Sequence, residues 1–198
     1  MSRLSLSPLN DVLPATHYFV PGLALPLALS DLSLQPRYGC KGPGAAAWLE
    51  SMGLPVPALP NSAIALEEGG YVLRLGLTEF LVEAQARTVE VLSCSPRVAG
   101  VYPVLRQDLC LCLSGRRVPE LLLQTCSFNF AALDLAQAPV VLTSMVGVAV
   151  TVLPGERHGV PDYRIWCDGS FGIYLWQTLS AIAIELGGGP VRSGFESI

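Results

Sequence analysis

The chain has 198 residues, of which 51% are hydrophobic and only 14% charged, with a net charge of −4 and a mean hydropathy of +0.48. An average soluble domain carries roughly 25% charged residues, so part of this surface is expected to be covered by another chain. The acidic balance argues against nucleic acid, and the longest uncharged apolar run, Ala138–Leu153, falls short of the ~20 residues that a membrane-spanning helix needs.

Residues 1–30 are proline-rich and aperiodic, and read as an arm lying over the domain surface or over a partner. Val20–Leu29 has the apolar character of a signal core ending in Ala28-Leu29-Ser30, but Pro21 and Pro26 interrupt it and Asp11 precedes it. Six irregularly spaced cysteines read as reduced thiols, so the expected location is the cytoplasm.

The organised part is expected to be one domain over 31–190, followed by a tail at 191–198. Asp31–Leu34 is short and extended, and Arg37–Pro43 is a turn-rich link. Gly44–Met52 is a short helix ended by Gly53, and the prolines of Leu54–Pro60 make a loop. Ser62–Leu66, Tyr71–Leu75 and Glu79–Ala84 read as strands, the first two joined by the hairpin signal Glu67-Glu68-Gly69-Gly70. Arg87–Cys94 is a weak helix.

A second round of elements then begins. Val104–Ser114 alternates, with Leu105, Leu109, Leu111 and Leu113 on one face and Arg106, Asp108, Cys110 and Cys112 on the other. Val118–Cys126 is a helix, Pro139–Met145 and Val148–Leu153 a strand pair, and Tyr163–Cys167 a further strand. The closing helix, Ser170–Leu186, has Ser170 as its expected N-cap and stops at Gly187-Gly188-Gly189-Pro190. Phe171, Tyr174, Leu175, Leu179, Ile182 and Leu186 form its apolar stripe. Trp176, about 100° round from Leu175, is then expected to face away from the sheet and to anchor a partner. Strand, helix, three strands, helix occurs twice, in halves near 31–97 and 103–187, which implies an α+β fold built by structural duplication around a shared core.

Few residues carry a chemical signature of their own. Cys110 and Cys112 sit two apart on a strand, too far and too parallel for a disulfide, and read as small buried hydrophobes before a metal pair or a reactive thiol. Gly39-Cys40-Lys41-Gly42 reads as a Gly-flanked turn, with a lysine-activated thiol as the alternative. His158, in the polar loop Gly155–Gly159, and His17, in the arm, read as solvated or interface residues. No metal site, catalytic triad or phosphate loop is recognisable. Trp166 reads as core or interface, and Trp48, like Trp176, as an interface candidate.

The segments D-L-S at 31–33, R-Y-G-C-K-G-P-G-A-A-A-W-L-E at 37–50, L-P-N-S-A at 59–63, L-C-L-S-G at 111–115 and D-G-S-F-G-I-Y-L-W-Q-T-L at 168–179 resemble the folate-binding domain family of the glycine-cleavage T-protein (aminomethyltransferase), and more narrowly the gamma subunits of heterotetrameric sarcosine oxidases. The resemblance implies two β-α-β-β-β-α halves, a folate-binding-domain-like fold. It also implies an acidic pair just beyond the glycine hairpin and a glutamate after the tyrosine of the strand before the last helix. Leu73 and Arg74 occupy the first positions and Arg164, after Tyr163, the second. Arg164 is a donor where a pterin needs an acceptor.

Tyr163, Arg164, Glu67 and Glu68 are the folate-site candidates that remain, with no catalytic residue and no metal ligand named. Two functions are therefore expected. The first is a non-catalytic accessory subunit of a sarcosine-oxidase-like amine oxidase or demethylase in one-carbon metabolism, binding no cofactor alone. Flavin and folate then belong to larger flavoprotein partner subunits, or self-association replaces those partners. The second is a free-standing tetrahydrofolate-dependent aminomethyltransferase or folate-binding one-carbon protein, with Glu67, Glu68 or Asp162 standing in for the missing acids. An unrelated scaffold role on the same fold is a third.

Overall fold

The computed structural model describes residues 6–16, 18, 25–96 and 98–192. In chain order its strands and helices are β1 (Ala28–Asp31), β2 (Arg37–Lys41), α1 (Ala45–Ser51), β3 (Ser62–Ala65), β4 (Tyr71–Arg74), β5 (Glu79–Glu83), α2 (Ala86–Cys94), β6 (Tyr102–Val104) and β7 (Leu109–Ser114). There follow α3 (Val118–Thr125), β8 (Val141–Met145), β9 (Val148–Leu153), β10 (Glu156–Arg157), β11 (Val160–Cys167), α4 (Gly172–Glu185) and β12 (Gly189–Pro190). Two compact units result, one made of residues 35–106 and 134–141 and the other of the described parts of 1–34, 107–133 and 142–198.

The first unit holds a sheet of order β3-β4-β5-β2-β6. Its alternation buries Cys40, Val72, Phe80 and Val82 together with Ala45, Trp48 and Leu49 of α1 and Leu92 of α2. Trp48, only 8% exposed, has its ring centroid 5.7 Å from that of Tyr38, so it is a core residue of this unit and not the interface anchor expected of it. The turn-rich link expected at Arg37–Pro43 is also corrected. Its first five residues are strand β2, paired antiparallel to β5 from Arg37↔Glu83 to Lys41↔Glu79. Gly39 is there because a side chain does not fit: a Cβ would meet Arg106 Nε at 2.7 Å and the Val104 carbonyl at 2.8 Å. Glycine in this strand marks a close approach, not a turn.

The second unit holds the order β12-β1-β7-β11-β9-β8, with β10 hairpinned onto β11. Read as β8-β9-β11-β7-β1, it repeats the order of the first sheet: a three-strand meander, then the strand that precedes the meander in the chain, then a strand from another segment, with β12 added outside β1. In each sheet that strand from another segment comes from the stretch leading into the other unit. Thus β1 precedes β2 in the chain but pairs with β7, and β6 precedes β7 but pairs with β2. The continuous strand expected at Val104–Ser114 is accordingly two strands separated by 105–108, and Leu105, placed on the apolar face by alternation, is 80% exposed. The arm is corrected in the same way. Leu9, Leu27 and Leu29 are fully buried, and β1 begins at Ala28, inside the stretch read as an arm. His17 lies outside the described residues.

Register puts Leu109, Leu111 and Leu113 of β7 beside Cys167, Ile165 and Tyr163 of β11, a continuous apolar face. The start of α4 lies on this face, where a Cβ added to Gly172 would stand 3.6 Å from Leu109 Cδ1. Ser170 does not cap α4, whose N-cap position is Phe171 with no side-chain cap; Asp168 instead caps the 3-10 turn Gly169–Phe171 that leads into it. Its carboxylate accepts from the Ser170 amide at 2.8 Å and from the Ser170 hydroxyl at 2.6 Å, and these bonds hold the Asp168 carboxyl below its ordinary pKa. The helix ends where Gly187, at φ 76°, lets its amide and that of Gly188 return to the carbonyls of Ile184 and Ala183.

The β8–β9 turn is Val146-Gly147, with φ of 44° and 83°. A left-handed pair suits a two-residue hairpin, but a β-branched residue adopts it at a cost of roughly 1–2 kcal/mol. Val146→Gly is therefore expected to raise the denaturation midpoint by an amount equivalent to about 1 kcal/mol, measured by chemical unfolding. An unchanged or lowered midpoint would show that the Val146 side chain contributes more than its backbone strain removes.

Candidate functional site

Strand β11 carries the positions at which folate chemistry is expected, and its two faces differ. Tyr163, Ile165 and Cys167 lie with the leucines of β7, whereas Asp162, Arg164 and Trp166 lie opposite Ser114, Cys112 and Cys110. Ser30 of β1 is beside Cys112 on the same face. The second face is a row of polar and sulfur groups, buried at Ser30, Cys110, Cys112 and Trp166.

Asp162 is already committed. Cys112 Sγ donates to its Oδ1 at 2.9 Å, and Arg157 Nη2 stands 3.0 Å from its Oδ2. Arg157 reaches it from β10 across the His158-Gly159 turn, with His158 exposed at φ 53°. Both carboxylate oxygens are therefore already engaged within the chain. Arg164 is half-buried and stands beside Cys112 and Leu153 in register. The Trp166 indole Nε1 is buried without an acceptor among the described residues. This face thus presents donors, and its acid is consumed internally.

Tyr163 is buried, with its ring centroid 5.7 Å from that of Phe130, and burial raises its phenol pKa. It packs on the opposite face from Arg164, so adjacent folate candidates in the sequence do not converge on one ligand.

The first unit carries the other candidates. Glu67 and Glu68 are exposed on the β3–β4 turn, where the Glu68 carbonyl accepts from Gln85 Nε2 at 3.3 Å. Beyond the turn, Leu73 is fully buried. Arg74 is spent on backbone. Its Nη1 donates to the carbonyls of Pro57 and Ala58 at 3.0 and 2.8 Å, its Nη2 to Leu77 at 2.7 Å and its Nε to Gly76 at 3.3 Å. The guanidinium also lies 5.5 Å from the centre of the Phe80 ring. Where the resemblance implies an acid acting on a reacting nitrogen, this chain has a cation stitching two loops together.

Cys40 and Cys167 offer no nucleophile in these surroundings. Burial pushes the Cys40 thiol up to about 11, against a smaller lowering by Arg106. Burial, reinforced by Asp108 and Asp168, pushes Cys167 up to about 12. Both are thiols at neutral pH, and it is the thiolate that reacts. Among the described residues no three of His, Cys, Asp and Glu gather as a metal cluster.

Sequence reasoning did not find the partners of Asp162 or the carbonyl cage of Arg74. The signal for Arg157 was available in His158-Gly159, an X-Gly pair between short extended segments. The loop carbonyls around Arg74 had none. Trp176 is a plain correction: it is 2% exposed, buried in the chain rather than held out for a partner.

No protein-family model and no curated protein matches this sequence. Solved structures do match. One is a chain of the heterotetrameric sarcosine oxidase from Corynebacterium sp. U-96, solved with pyrrole 2-carboxylate, at TM-score 0.73 and 20% identity over 96% of this chain and 100% of that one. Another is the glycine cleavage system aminomethyltransferase T from Bartonella henselae, at TM-score 0.67 and 15% identity over 93% of this chain but 58% of that protein. The chain has the α+β fold that these two proteins share.

Proposed function

We propose that this chain is a non-catalytic accessory subunit of a heteromeric, sarcosine-oxidase-like amine oxidase or demethylase. The observation that carries the reading is the fate of the acid positions. Arg74 is bound to loop carbonyls, Arg164 is a donor, and Asp162 is taken by Cys112 and Arg157. Length supports the same reading, since the chain matches a whole chain of the heterotetrameric oxidase but little more than half of the aminomethyltransferase. Flavin and folate are then held by larger partner subunits, and this chain supplies folded contact surface. A cytoplasmic place suits such a role, and no described helix is long and apolar enough to cross a membrane.

Affinity purification of the native complex under gentle salt, followed by absorbance spectroscopy, tests this. The expected result is co-purification of larger chains with a flavin spectrum, in fixed stoichiometry. Recovery of the chain alone, without flavin or larger chains, from its native cells would overturn it.

A further inference from the structure

The outer edge of β8 stands out among the sheet edges. Natural proteins protect edge strands with charge, proline, brevity or cover, because an open edge accepts another strand. The other edges are protected in these ways. β12 has only two residues and ends in Pro190, and β6 has three with Pro103 at its centre. The outer side of β3 is partly occupied by the segment at 138–140, through Ala63 N to Ala138 O at 2.9 Å and Val140 N to Asn61 O at 2.8 Å. The short β10 is the charged pair Glu156-Arg157.

β8, Val141–Met145, closes the second sheet on its other side with no strand beyond it among the described residues. It contains no proline, and residues 135–155 contain no charge at all in a chain of net charge −4. Its far end is fixed in place. The Val146 amide donates to Thr125 O at 2.8 Å, and the Tyr174 hydroxyl donates to Val146 O at 3.1 Å. The edge is therefore both open and preorganised.

We infer that β8 is a self-pairing edge, at which a second copy of this chain adds its own β8 antiparallel about a two-fold axis through Thr143. Two observations select a second copy as the occupant. The burial pattern of β8 is buried, exposed, half-buried, exposed, buried, which reads the same in both directions. Antiparallel pairing in register thus sets Val141 opposite Met145 of the copy, Leu142 opposite Ser144 and Thr143 opposite itself, matching buried with buried and exposed with exposed. The missing charge is the second, because two acidic chains can approach along an uncharged hairpin without like charges opposed across the strands.

The test is light scattering on the full chain, with three variants. The wild type is expected at the mass of a pair. Leu142→Lys/Ser144→Lys and Leu142→Glu/Ser144→Glu are each expected to halve that mass with an unchanged thermal midpoint. Their equimolar mixture should recover the pair, since each lysine then faces a glutamate. Thr143→Cys in a Cys94→Ser/Cys126→Ser background, which removes the exposed thiol and the thiol that lies 3.6 Å from Thr143 Oγ1, should cross-link across the axis on oxidation where that background alone does not. A wild type that stays a single chain at its highest soluble concentration overturns the inference. So does a pair in which Thr143→Cys fails to cross-link, since the copies then meet elsewhere. Co-purification with flavin-containing chains decides the accessory role separately, whichever way this test falls.

Discussion

Replacing Trp176 by alanine is expected to cost about 3–5 kcal/mol of stability, the range for a large aromatic removed from a core. The residue is 2% exposed, and Leu175, next to it, is fully buried. Leu175→Ala is expected to cost about 2–5 kcal/mol by the same mechanism. Neither variant should alter assembly among the molecules that remain folded. Chemical denaturation of both, with assembly read by light scattering, checks this. If Trp176→Ala left the midpoint unchanged, its burial would carry no packing energy and an interface role would return.

Gly188→Ala is expected to be the most damaging of the small changes. A Cβ at this position would stand 1.8 Å from the Leu27 carbonyl oxygen and 2.7 Å from its carbon. That carbonyl accepts the Gly189 amide at 3.0 Å and belongs to the parallel pairing of β1 with β12. Since the obstacle is backbone, no side chain can swing aside. The loss should lie at or above the upper end of the ~1–3 kcal/mol seen for overpacked cores. Gly187→Ala is the control, because its nearest atom would be 3.7 Å away and only its φ of 76° is strained. It should cost about 1 kcal/mol. Equal midpoints for the two variants would contradict the close approach of Leu27.

The closing helix shows how far periodicity reaches. Its existence, its direction and its stop at Gly187 were legible, because apolar spacing and a left-handed terminator are local properties. Its buried face was not. Phe171 and Tyr174 are about half exposed, whereas Gly172, Leu175, Trp176, Leu179 and Ala183 are buried. A helix apolar on nearly every side offers several stripes of similar strength, and only the sheet chooses among them. The split of Val104–Ser114 is similar. Alternation continues through Leu105 although the chain changes sheets there, since side-chain period carries no record of which neighbour a strand will find.

At the candidate site, Arg164 and Arg74 were legible as departures from the resemblance, because a residue type at a motif position is visible in the chain itself. Their surroundings were not. The carbonyls of Pro57, Ala58, Gly76 and Leu77 converge on Arg74 only once the loops fold. The thiol of Cys112 meets Asp162 only through the β7–β11 register.

The central claim is that this fold has been kept without folate chemistry of its own, and titration calorimetry of tetrahydrofolate into the purified full chain tests it most directly. Donors facing the donor edge of a pterin leave buried groups unsatisfied at about 1–3 kcal/mol each, so no saturable heat is predicted. A dissociation constant of about a micromolar or tighter, roughly −8 kcal/mol of binding, would contradict the accessory reading and make the chain a folate-binding protein in its own right.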